Sequence, residues 1–158
     1  MRLVLACSLL LAPAFAFAAD IEFVRVWPGW REAESFERIA EYFGRGERTS
    51  GRETVLRTQP ERRAGYYFLV RIKSATAVPG ATLQLSVIRP DAPDPKVYRF
   101  PTTTALPTKE AVYQLGLTGS DWPEGEKANP VAWKIAILNQ EGRVLAEHKS
   151  FLWEKPAK

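Results

Sequence analysis

Gly65-Tyr66-Tyr67-Phe68-Leu69-Val70-Arg71-Ile72-Lys73 reads as a β-strand that needs cover on both faces. The five residues after Gly65 are apolar or aromatic at both parities. Only Arg71 and Lys73 restore the apolar/polar alternation of a half-buried strand. Tyr66, Phe68, Val70 and Ile72 share one face, while Tyr67 and Leu69 share the other and call for a second layer. Just upstream, Trp30, Ala33, Phe36, Ile39, Ala40 and Phe43 fall at helical spacing, with Gly44 in the place of a C-terminal capping glycine. This predicts a helix over 31–43 that lies on the outer face of the central strand. Glu34 with Arg38 and Glu41 with Arg45 add i,i+4 pairs in the favourable order.

Before that helix, Ile21 to Trp27 forms a strand that Pro28-Gly29 is expected to stop. Glu53 to Thr58 is a short strand, with Gln59 to Ala64 as the turn into the central one. Downstream, Ala81 to Ile88 alternates through Leu83, Leu85 and Val87, and the proline-rich run Arg89 to Pro95 turns the chain into a short strand at Lys96 to Phe100. A polar connector, Thr102 to Lys109, precedes a strand at Ala111 to Thr118. A long loop, Gly119 to Pro130, then carries Trp122. Val131 to Leu138 and Arg143 to Trp153 close the chain as a hairpin around Asn139-Gln140-Glu141-Gly142. Short strands at regular spacing predict a mainly β, antiparallel sandwich with one N-terminal α-helix packed on a sheet.

The run Pro123-Glu124-Gly125, then Val131-Ala132-Trp133-Lys134-Ile135-Ala136-Ile137, then Glu141-Gly142-Arg143-Val144-Leu145 and Phe151 resembles the terminal hairpin of bacterial exported immunoglobulin-like and fibronectin-III-like modules. The resemblance covers the last quarter of the chain and implies an immunoglobulin-like β-sandwich. Such modules bind, scaffold or space other domains. The helix is foreign to that pattern, as is the absence of paired cysteines.

The N-terminus reads as an export signal: Met1-Arg2 is basic, Leu3 to Phe15 is apolar, and Ala16-Phe17-Ala18 is a small-x-small cleavage site. Cleavage near Ala18 would leave residues 19–158 as a single domain, periplasmic or extracellular, without an integral membrane span. A lipoprotein reading through Cys7 fails because too few residues separate it from Arg2. Cys7 is the only cysteine, so the mature chain would hold no disulfide, thiol nucleophile or cysteine-ligated metal. The full chain's net charge of +4 falls to +3 in the mature chain with the loss of Arg2.

No catalytic constellation emerges. His148 lies between Glu147 and Lys149 with no nucleophile marked for it. Glu34, Glu37 and Glu41 read as a solvated helix face, and Asp91 with Asp94 lack the ligand spacing of a calcium loop. No cofactor or metal is expected, and export argues against nucleic acid as a partner. The expected role is a non-enzymatic interaction or scaffold module of the cell envelope, with an envelope protein or polysaccharide as partner. The alternative is a carbohydrate- or anionic-polymer-binding domain, to which Arg45, Arg48, Arg52, Arg57, Arg62 and Arg63 could contribute. An enzyme stands third. In an alternating sandwich, three loops should meet at one end. They bring Arg62 and Arg63 from the first, Asp91 and Asp94 from the second, and Asp121 and Trp122 from the third. These six form the candidate ligand-binding site, with Trp122 expected to be its exposed aromatic, since the core pattern absorbs Trp27, Trp30 and Trp133.

Overall fold

A computed structural model describes residues 20–36, 53–123 and 125–154. Eight strands make two four-stranded sheets. The first has the order β1-β3-β6-β2 and the second β5-β4-β7-β8, with β1 at Ile21–Arg31, β2 at Glu53–Arg57, β3 at Gly65–Ser74, β4 at Thr82–Arg89, β5 at Ala92–Pro101, β6 at Lys109–Thr118, β7 at Ala132–Leu138 and β8 at Val144–Lys149.

Alternation sets which side chains lie between the sheets. Tyr66, Phe68, Val70 and Ile72 of β3 sit opposite Leu117, Leu115, Tyr113 and Ala111 of β6 in register. They are buried against Leu83, Leu85 and Val87 of β4 and Ile135 and Ile137 of β7. The central strand does require two layers. Tyr67, on the outer face, is 1% exposed. Its ring lies over Gly116, where an added Cβ would stand 2.4 Å from Tyr67 Cε1, and the Phe36 ring covers it at 5.0 Å. Arg57 Nε donates to the Tyr67 hydroxyl at 2.8 Å, and that hydroxyl donates to the Arg63 carbonyl at 2.6 Å. Residues 33–36 are helical, and the rest of the predicted helix, 37–43, lies outside the described residues.

Three sequence expectations are corrected. β1 does not stop at Pro28-Gly29 but stays in register with β3 through Arg31, because it is a sheet edge and an edge strand tolerates a proline that cannot donate. β2 pairs with β6 in parallel, so the first sheet is mixed and not purely antiparallel. β1 and β2 therefore run in the same direction at opposite edges of the sheet. Finally, the proline-rich turn shrinks to Pro90-Asp91: β5 begins at Ala92, and Pro93, Asp94 and Pro95 bulge opposite Ile88 on another edge strand. At the C-terminus β8 ends at Lys149, and Phe151–Glu154 forms a 3-10 turn.

Candidate functional site

The strand directions place the β2–β3 loop, the β4–β5 hairpin and the β6–β7 loop at one end, joined by the chain leaving β1 at Arg31. The β3–β4 and β5–β6 connections and the Asn139–Gly142 turn lie at the other. A polar network binds the first end together. Thr118 N donates to Thr58 Oγ1 at 3.0 Å, and Thr118 Oγ1 donates to the Gln59 carbonyl at 3.0 Å. Gln59 Nε2 donates to Ser120 Oγ at 2.7 Å. Gly119 is required here: its φ is +58° and a Cβ would meet Gln59 Oε1 at 2.1 Å.

Asp121 and Asp91 belong to this framework. Lys96 Nζ pairs with Asp121 Oδ1 at 2.8 Å. Arg89 donates to the Asp121 carbonyl at 3.3 Å and pairs with Asp91 at 3.0 Å. Burial by itself raises the Asp121 pKa, but hydrogen bonds from Lys96, Thr58 and Gln59 outweigh it and hold the carboxyl below its ordinary 3.8. Asp94 is exposed on the β5 bulge and does not line the cleft described next.

Trp122 corrects the expectation of an exposed aromatic. It is 3% exposed and belongs to the core, its ring 4.6 Å from that of Tyr66. Its Nε1–H donates to the Gly125 carbonyl at 3.0 Å. A long loop needs an anchor, and an indole that buries its body while satisfying its one donor supplies it. Tyr66 adds a second tie, its hydroxyl donating to Asn129 Oδ1 at 3.0 Å.

Between these loops and the end of β1 lies a cleft of about 430 Å³ lined by Trp30, Ala33, Glu61, Arg62, Arg63, Ala64, Gly119 and Trp122. Three of the six predicted residues, Arg62, Arg63 and Trp122, therefore meet at one surface. Trp30, assigned from sequence to the core, is half-buried and forms part of the wall. Its signal was positional: it is paired with Tyr66 at the end of β1, beside the loop that carries Arg62 and Arg63. Its Nε1–H donates to Glu32 Oε1 at 2.7 Å. Glu61, Ala33, Ala64 and Gly119 carried no sequence signal. Among the described residues no group of three or more histidine, cysteine or carboxylate side chains converges as a metal site would, and no helix is long and apolar enough to cross a membrane.

Compared with protein-family models, curated proteins and solved structures, the chain matches none. Its fold and surface define a class on their own terms: a two-sheet, mostly antiparallel β protein, compatible with a sandwich, that carries a loop-end cleft with an aromatic floor and a charged rim.

Proposed function

We propose that the chain is an exported, non-catalytic interaction module of the cell envelope, acting in the periplasm or outside the cell, and that it meets its partner at the loop-end cleft. The observation that carries this reading is the convergence of Arg62 and Arg63 with Trp30 and Trp122 on one concavity, built from loops held by a rigid scaffold. The side chains there are guanidinium, carboxylate and indole, which suit recognition. Export rests on the signal-like segment 1–18. An immunoglobulin-like identity for the sandwich is supported by strand order. With β2 set aside, β1-β3-β6 against β5-β4-β7-β8 follows the arrangement A-B-E against C′-C-F-G. The chain departs from it in β2, which joins beside β6 from an earlier point in the sequence.

The test is retention of envelope components on the immobilised mature chain, compared with an Ala33→Trp variant that fills the cleft while the far-UV spectrum stays the same. The expected outcome is a component held by the wild type and released by the variant. Equal retention by both would remove the cleft from recognition.

A further inference from the structure

Resting on the reading of this cleft as a recognition site, we propose that its ligand presents an oxyanion, a carboxylate or a phosphate monoester, on a compact apolar body. The inference begins with which charges at this end are already spent. Asp91 is closed on Arg89 and Asp121 on Lys96, so two of the three aspartates of the candidate site serve the framework, and the third, Asp94, does not line the cleft. The charged residues that line the cleft are Arg62, Arg63 and Glu61. Arg63 is already engaged, and the neighbouring Glu32 carboxylate is closed on the Trp30 indole N–H at 2.7 Å. Arg62 is exposed, and its guanidinium meets no carboxylate among the described residues. A guanidinium presents a planar fork of donors matched to the two oxygens of a carboxylate or phosphate.

The floor specifies the rest of the ligand. Both indole N–H groups are satisfied inside the protein, that of Trp122 by the Gly125 carbonyl and that of Trp30 by Glu32. What Trp30, Ala33 and Ala64 offer the cleft, above the buried Trp122, is therefore carbon surface, without a side-chain donor for a neutral polar ligand. Polar recognition falls to the rim. A volume of about 430 Å³ suits a body of roughly one ring, at the small end of ligand sites.

The experiment titrates the isotope-labelled mature chain with four probes, following the tryptophan indole and arginine Nε–H resonances. Benzoate and phenyl phosphate carry both features and separate the two oxyanion sources. Benzyl alcohol lacks the charge, and inorganic phosphate lacks the body. The Trp30 and Arg62 signals should move with at least one of the first two, which should bind about tenfold or more tighter than either control, a difference of about 1.4 kcal/mol. Arg62→Gln should remove that advantage, and Arg62→Lys should restore only part of it, since an ammonium lacks the fork. Glu61→Gln should tighten binding by withdrawing the opposing charge. Benzyl alcohol binding as well as benzoate, an Arg62→Gln variant that binds normally, or weaker binding by Glu61→Gln would each overturn the proposal. If Ala33→Trp releases an envelope component yet neither acidic probe moves the cleft resonances, the oxyanion inference falls while the module reading stands. If an acidic probe binds there and retention is indifferent to Ala33→Trp, the module reading falls and the oxyanion site stands.

Discussion

Gly116 and Tyr67 show how far single positions are determined by their neighbours. Tyr67 occupies the space above Gly116 and is held at its hydroxyl from both sides, by the Arg57 donor and the Arg63 carbonyl. Gly116→Ala must displace that ring, and the expected loss is about 1 to 3 kcal/mol by urea denaturation, as for other overpacked sites. Trp122→Ala should be costlier, about 3 to 5 kcal/mol, because the indole is a core side chain and the pin of its loop. A fully stable Trp122→Ala protein would return Trp122 to the surface role that its loop position suggested. Asp121 yields a prediction in pH. Its carboxyl titrates below its ordinary value in the folded state, so it contributes stability that is present above 3.8 and lost as the pH falls through the folded pKa. Asp121→Asn should be less stable than the wild type at neutral pH. That gap should close in acid as the wild-type carboxylate is protonated, and a gap constant with pH would assign the loss to side-chain shape alone.

At the scale of elements, the cover over the central strand is the informative feature. The Phe36 ring packs at a tilt on Tyr67, and the Arg57 guanidinium lies 4.8 Å from the Phe36 ring centroid. This is the contact the helical periodicity anticipated, and the central strand itself announced the need for it through Tyr67. Phe36→Ala should cost about 1 to 2 kcal/mol, part of the value of a fully buried aromatic, because the side chain is only half-buried. A change in the tyrosine near-ultraviolet dichroism should accompany it, and an unaltered spectrum would mean that Phe36 does not set the Tyr67 environment. β2 is the contrasting case. Glu53–Arg57 is recognisable as a strand, yet nothing in five residues says which neighbour it takes or in which direction. The parallel pairing with β6 places Glu53 Oε1 where it accepts from the buried Gln114 Nε2.

At the scale of the molecule, the two sheets meet on one side where the exposed His148 ring lies 5.6 Å from that of Phe23 and 5.7 Å from that of Trp133. The export proposal has its own check: mass spectrometry of protein recovered outside the cytoplasm should give a chain beginning at Ala19, and a lipid-modified chain beginning at Cys7 would overturn it. The residue pattern by itself located the strand segments and assigned faces in four of them, β3, β4, β6 and β7, and it determined the Asn139–Gly142 hairpin with its left-handed glycine at φ +79° and the end of the molecule at which Arg62, Arg63 and the loop after β6 gather. These follow from alternation and turn chemistry, which are properties of a few adjacent residues. The tertiary structure alone decided the parallel place of β2, the continuation of β1 past Pro28 and the burial of Trp122. It also brought Trp30 and Glu61 into the cleft with Arg62. Each of these depends on which distant segment supplies a ladder, a cover or a hydrogen-bond acceptor. An indole in a long loop looks the same in sequence whether Tyr66 and the Gly125 carbonyl are there to receive it or not.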